Sequence, residues 1–136
     1  MSFRDWWCLV VAFMCVWILS WLFGCAKLHS KEKTWTAKQL TVTATGYCPC
    51  TICCGASADG ITATGRSASL KGIAADPKHI TLGSRIDVPD YDTWCLVDDV
   101  GGKVKDNHID LRFKTHEDAM QWGKKKIVIR VWSPSN

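Results

Sequence analysis

The 136-residue chain contains no internal repeat and no stretch in which basic residues interleave with aromatics. The first absence excludes architectures built by stacking copies of one unit. The second argues against nucleic-acid binding, which needs a concentrated basic face. The formal charge is only +4, and its 17 basic and 13 acidic side chains are scattered. That balance suits an anionic envelope polymer, and it also suits a domain with no charged partner. Neither His79 nor His108 stands in a recognised metal-ligand spacing. No His–Cys relationship that would mark a catalytic thiol can be read either. The last absence is of charge itself: from Trp6 to Ala26 there is no ionisable Asp, Glu, Lys, Arg or His.

This uncharged run holds Trp6, Trp7, Trp17 and Trp21, half of the chain's eight tryptophans. As a helix it would span about 30 Å, the thickness of a bilayer core. Tryptophans near its ends suit the two membrane–water interfaces. A buried core helix is a poor alternative, because so small a domain could not enclose it. Two versions remain open for residues 1–26. A cleavable signal usually has a shorter apolar core, which favours a retained transmembrane anchor. Leu22-Phe23-Gly24-Cys25 resembles a lipoprotein cleavage box, which would make Cys25 the lipidated first residue, although Phe23 is bulky for that box. Lys27, Lys31 and Lys33 follow the run and only Arg4 precedes it, the reverse of the positive-inside arrangement. Cys8 and Cys15 lie within the run and read as inert.

Residues 27–39 are polar, basic and aperiodic, and read as a linker. Beyond them Leu40, Val42 and Ala44 alternate with threonines, the pattern of a half-buried strand. Further strands are expected over 61–64, 73–75, 85–88, 94–97, 109–113 and 126–132, with Gly, Pro and Asp marking the turns. One helix is expected, capped by Thr115, begun by Glu117 and Asp118 and stopped by Gly123. Six or seven short strands with one helix predict a mainly β domain over 40–132, closed as a small barrel, followed by a tail at 133–136.

Three phrases in that domain begin or end a predicted strand on an aspartate: Ala74-Ala75-Asp76-Pro77, Val97-Asp98-Asp99-Val100-Gly101-Gly102 and His108-Ile109-Asp110-Leu111. Carboxylates at strand ends can converge on one groove, where mutual repulsion and removal from water keep one protonated near neutral pH. A protonated carboxyl facing a cleft can protonate a leaving oxygen, as in cleavage of a glycosidic bond. The alternative is that these aspartates only build turns, a common use of Asp. Alternation puts Ile109, Leu111 and Phe113 on one face of their strand, so Asp110 and Arg112 share the other. A packed strand would then hold Asp110 toward the cleft, unless Asp110 is exposed and paired with Arg112 or a nearby lysine.

The wording around the aspartates resembles the three-aspartate (3D) domain, which is related to membrane-bound lytic transglycosylase A and to stationary-phase peptidoglycan lyases. The matching text is Thr43-Ala44-Thr45-Gly46-Tyr47, Gly60-Ile61-Thr62-Ala63-Thr64-Gly65, Gly72-Ile73-Ala74-Ala75-Asp76-Pro77, Ile80-Thr81-Leu82-Gly83-Ser84, Asp99-Val100-Gly101-Gly102-Lys103-Val104-Lys105 and Ile109-Asp110-Leu111. The resemblance runs from about Leu40 to Trp132. It implies a six-stranded double-psi β-barrel with the aspartates lining a groove, and an enzyme that cleaves peptidoglycan glycan strands without a cofactor. Asp110 would be the acid/base. Asp99 and Asp76 would tune its pKa and hold sugar hydroxyls, with Asp98 secondary. Gly101 and Gly102 would let backbone approach the glycan, and Tyr47, Thr62 and Lys105 would bind substrate. A substrate of this kind places the protein in the cell envelope, held to the membrane by its N-terminal segment and facing the extracytoplasmic side. Three rivals stand beside this: a non-catalytic barrel that binds glycan, a metal-dependent hydrolase using the aspartates with His79 or His108, and, more remotely, a small anchored structural protein stapled by cysteines.

The chain departs from the family in carrying Cys48, Cys50, Cys53 and Cys54 beside Tyr47, four thiols in seven residues. In an oxidising envelope, disulfides within this loop or to Cys95 are the first expectation. Adjacent Cys53 and Cys54 can hardly pair with each other. Cys50 and Cys53 also have the two-residue gap of a zinc knuckle, with Cys48 or Cys54 available as further ligands and only Cys95 or a histidine to complete a site from a distance. Free thiols are the third possibility.

Overall fold

A computed structural model describes residues 34–135. The apolar segment at 1–26, Cys25 and most of the linker lie outside the described residues. Among the described residues no helix is long and apolar enough to cross a membrane.

Six strands carry the fold: β1 (Trp35–Tyr47), β2 (Ile73–Ala75), β3 (Arg85–Val88), β4 (Asp92–Asp99), β5 (His108–Arg112) and β6 (Lys124–Pro134). They close into a barrel in the order β1-β5-β2-β4-β3-β6. The β1/β5 and β2/β4 pairs are parallel, and the remaining pairs are antiparallel. Closure leaves the short central strands without a free edge. Val42, Ala44, Ile73, Ile86, Val97, Ile109, Leu111, Ile129 and Val131 fill the interior. Each large aliphatic side chain so buried contributes about 1.5–3 kcal/mol.

The alternation of Leu40, Val42 and Ala44 does mark an inward face of β1. The strand nevertheless begins at Trp35, five residues before the expected boundary, and pairs from Trp35↔Pro134 to Gln39↔Arg130 with β6. Residues 35–39 are exposed throughout. A two-stranded ribbon buried on neither face shows no alternation, so it reads as a linker. The expected tail enters β6 in the same way, through Ser133 and Pro134.

The helix α2 (His116–Trp122) ends where its caps place it. Thr115 Oγ1 accepts from the Asp118 amide at 3.1 Å, and Gly123 stops the helix at φ 68°. Ala119 and Trp122 are its buried side chains. A Cβ at Gly46 would lie 2.8 Å from the Ala119 carbonyl oxygen, so glycine is what lets α2 lie close to β1. A second helix, α1 (Thr51–Cys54), forms within the cysteine loop and is followed by a 3-10 turn. The strand expected over 61–64 is instead a tight loop. The Thr62 amide bonds the Arg66 carbonyl at 2.9 Å, and a single bridge joins Ile61 to Ser67.

A buried ion cluster ties this loop to the barrel. Pairing of β2 with β4 shifts register between Ile73↔Val97 and Ala74↔Asp99, leaving Asp98 as an extra residue on β4. Such a bulge turns one side chain out of strict alternation. Val97 and Asp98 are consequently both fully buried, and Asp99 keeps the opposite aim. Asp98 receives Arg112 through Nη2 at 2.5 Å and Nη1 at 3.3 Å, and it also pairs with Arg66 Nη1. Arg112, at 1 % exposure, further donates to the Leu70 carbonyl at 3.0 Å. Gly72 lies so close to both Asp98 and Arg112 that a Cβ there would collide with them. Arg112 therefore pairs with Asp98, and the alternative in which it partners Asp110 is excluded by this geometry.

Removing one member of a buried pair strands the other charge, which typically costs about 3–5 kcal/mol. Asp98→Asn is expected to lower the unfolding free energy by that amount in urea denaturation, and a loss under about 1 kcal/mol would contradict the assignment.

Candidate functional site

The groove is a cleft of about 620 Å³ on the barrel. That volume lies within the range of small-molecule sites. Tyr47, Thr62, Asp99, Gly101, Gly102 and Asp110 all line it. Its floor follows from register. Ala74 on β2 pairs with Asp110 on one side and with Asp99 on the other. Two strand spacings therefore separate the Asp110 and Asp99 backbones, about 10 Å. The small side chain of Ala74 leaves open space between the two carboxylates.

Asp110 sits on β5 between the buried Ile109 and Leu111, so the strand that anchors it is packed. Its Oδ1 accepts from Thr45 Oγ1 at 2.8 Å, across the β1/β5 pair. Thr45 Oγ1 is also 2.8 Å from His108 Nε2. When the carboxyl is ionised the threonine proton goes to Asp110, and a His108 Nε2–H then donates to the threonine, giving a chain His108 → Thr45 → Asp110. Among the described residues nothing hydrogen-bonds Oδ2. Burial raises the Asp110 pKa above the usual carboxylate value, while the Thr45 hydrogen bond and His108 hold it down.

Asp99 is built differently. Its Oδ2 accepts from Tyr47 Oη at 2.8 Å, and its Oδ1 accepts from the amides of Ala63 at 3.0 Å and Val100 at 2.9 Å. Arg112 Nη2 stands 3.5 Å away. With donors on both oxygens, Asp99 is an acceptor that clamps the 61–67 loop to β4. Tyr47 carries the clamp inward: its hydroxyl accepts from Arg112 Nε at 2.8 Å, and burial raises its pKa.

Asp76 does not line the groove with the other two. Its carboxylate accepts the amides of Lys78 and Asp106, both at 3.1 Å, so it joins the turn after β2 to the loop before β5. Those hydrogen bonds lower its pKa. Beside the buried Asp76, the exposed His79 places Nε2 3.3 Å from Oδ1 of the exposed Asp106, and His108 is committed to Thr45. Lys105 is exposed, and Lys103 is the groove-lining lysine. Thr62 Oγ1 accepts the Arg66 amide at 3.1 Å, so it shapes the loop as well as facing the cleft. Gly102 has open space around its α-carbon, whereas Gly101 packs on Val104.

All five described cysteines are free thiols. Cys95 belongs to the hydrophobic core and is unpaired. Cys53 and Cys54 line the groove, and the sulfurs of Cys48, Cys50 and Cys53 cluster with His116. Thr45, Lys103 and Arg66 were absent from the expected site, and His108 and Arg112 entered it only as a rival metal ligand and as a partner for Asp110. Thr45 was within reach of sequence reasoning, since it shares the face of β1 with Tyr47.

These features define a small closed β-barrel with one part-buried carboxyl and one clamped carboxyl on a single groove. Residues 71–133 match the model of the 3D domain, so this stretch of the barrel carries a 3D domain. It is 34% identical over 103 residues to YabE of Bacillus subtilis (strain 168), a protein named for cell wall shaping, covering 75% of this chain and 25% of that one. It is 37% identical over 99 residues to the cell wall-binding protein YocH of the same organism, covering 70% of this chain and 33% of that one. The chain therefore aligns with only a quarter to a third of the length of these relatives.

A carboxyl whose native pKa exceeds its unfolded value binds its proton more tightly when folded. Its contribution to stability is full below the unfolded pKa and is lost as pH rises through the native one. Asp110→Asn removes this loss. Its melting temperature is expected to match or exceed that of the unaltered protein near neutral pH, with a flatter profile on the acid side. A melting temperature several degrees lower would show that Asp110 is a structural anion instead.

Proposed function

We propose that the protein is a lytic transglycosylase of peptidoglycan, with Asp110 as its single acid/base. The observation that carries this reading is Asp110 itself: a part-buried carboxyl on a rigid strand, raised in pKa, with one oxygen held and the other unbonded among the described residues, in a sugar-sized groove. The names of YabE and YocH support a cell-wall substrate and an extracytoplasmic location. The two parallel strand pairs of the closed barrel support reading it as the double-psi type.

In the proposed reaction Asp110 gives its proton to the glycosidic oxygen between N-acetylmuramic acid and N-acetylglucosamine. The bond from muramic C1 to that oxygen breaks. The C6 hydroxyl of the same muramic residue attacks C1, and the Asp110 carboxylate takes the hydroxyl proton. The product is a 1,6-anhydro sugar, and no water is consumed. The nucleophile comes from substrate, so the two-carboxylate arrangement of ordinary glycosidases is not required. Asp99 and Tyr47 would fix the groove wall and Lys103 would face the glycan. Asp76 would act from outside the groove, holding the loop that leads into β5.

A second reading is favoured by the name of YocH: a barrel that binds wall glycan without cleaving it. Incubation of the protein with peptidoglycan separates the two. Lytic activity yields 1,6-anhydro muropeptides by mass spectrometry, reduced at least 100-fold by Asp110→Asn. Retained binding with no anhydro product from the unaltered protein would establish the second reading.

The Thr45 hydrogen bond lowers the Asp110 pKa, so its removal raises that pKa further. Thr45→Val is expected to move the alkaline limb of the kcat/KM profile to higher pH. A limb that stays in place or moves down would remove Asp110 as the titrating acid.

A further inference from the structure

The groove does not use the thiols that sit at its end. Cys48 Sγ lies 2.7 Å from Cys50 Sγ and 3.6 Å from Cys53 Sγ. His116 Nδ1 lies 3.9 Å from Cys48 Sγ, 4.0 Å from Cys50 Sγ and 3.3 Å from Cys53 Sγ. The histidine comes from the first turn of α2, 63 to 68 residues beyond the thiols. We propose that Cys48, Cys50, Cys53 and His116 form a structural Zn²⁺ site that fastens the cysteine loop to α2.

The donor set and its size support this. Three thiolates and one imidazole make a Cys₃His set, which is a recurrent closed tetrahedral arrangement for Zn²⁺. With Zn–S about 2.3 Å and Zn–N about 2.0 Å, a tetrahedron has edges of about 3.8 Å between sulfurs and about 3.5 Å from sulfur to nitrogen. Four of the five measured edges lie within about half an ångström of those lengths, and the Cys48–Cys50 edge must open by about 1 Å. Thiolate-rich sites of this geometry select Zn²⁺ over the hard cations.

The two other described thiols stand apart from the set. Cys54 Sγ turns to the Cys48 carbonyl at 3.3 Å, and Cys95 is in the core. Exactly filled coordination leaves no position for substrate, so the ion would be structural. Binding replaces three S–H bonds by three Zn–S bonds and releases three protons to solvent. A disulfide among the three sulfurs would leave the third thiol and His116 without a shared partner.

Placement gives the site a consequence. Cys53 lines the groove, and Cys48 directly follows Tyr47, whose hydroxyl bridges Asp99 and Arg112. A metal here would set one wall of the cleft without entering the chemistry at Asp110.

The test uses the full chain in detergent, purified under reducing conditions without chelator. Elemental analysis is expected to find about one zinc per chain, and Co²⁺ exchanged into the site is expected to show the intense visible and near-ultraviolet bands of tetrahedral thiolate cobalt. His116→Ala and Cys53→Ser should each lower metal content at least tenfold, and Cys54→Ser and Cys95→Ser should retain it. A measurement on the unaltered protein stands if those variants fail to fold. Alkylation of Cys48, Cys50 and Cys53 should be slowed at least tenfold until chelator is added, with Cys54 reacting at the same rate in both conditions. Less than a tenth of a zinc per chain, equal alkylation with and without chelator, or a loop disulfide in the intact mass would overturn the site.

Discussion

The buried pair between Asp98 and Arg112 is the constraint on which the groove depends. Arg112 lies on β5 and Asp98 on β4, and both strands flank β2 in the barrel. The same guanidinium reaches Tyr47 on β1 and the Leu70 carbonyl in the loop before β2. One side chain thus ties together the elements that carry Tyr47, Asp99 and Asp110. A buried pair of this kind adds little net stability compared with an apolar replacement. Its value here is positional, because each partner fixes the aim of its neighbour in sequence.

That arrangement divides the acidic residues by role. Asp98 neutralises the buried Arg112 and the half-buried Arg66, Asp99 clamps a loop through donors on both oxygens, and Asp76 ties two turns through backbone amides. Asp110 alone is part-buried with a raised pKa and an oxygen left unbonded among the described residues. A protonated donor needs burial that disfavours charge without a full set of hydrogen bonds that favours it. Thr45 and His108 limit the upward shift, so Asp110 can both give and recover a proton.

Much of the barrel was legible in the chain. Alternation located β1, β3 and β5, and Thr115 with Gly123 located α2, because these signals are local and act within a few residues. The ribbon at 35–39 was not legible, since a strand buried on neither face carries no pattern. Residues 61–64 have the threonines of a strand, yet positive φ at Gly60 and Gly65 folds them into a loop. Asp98 escaped because the bulge breaks the period of two on which facing arguments rest. His116 escaped for another reason: its relation to the cysteine loop spans more than sixty residues and is made only by the packing of α2 on β1. Of the three aspartates, Asp99 and Asp110 share the groove, while Asp76 sits at its structural periphery, a distinction no motif contains.

The central claim is that the barrel holds the Asp110 carboxyl in its protonated form to higher pH than an ordinary aspartate. Its most direct test is a carbon-detected NMR titration of that side-chain carboxyl in the folded protein. A midpoint clearly above about 3.9, the value of an unperturbed aspartate, is expected. A midpoint at or below that value would mean the groove stabilises an anion, and Asp110 could not serve as its acid.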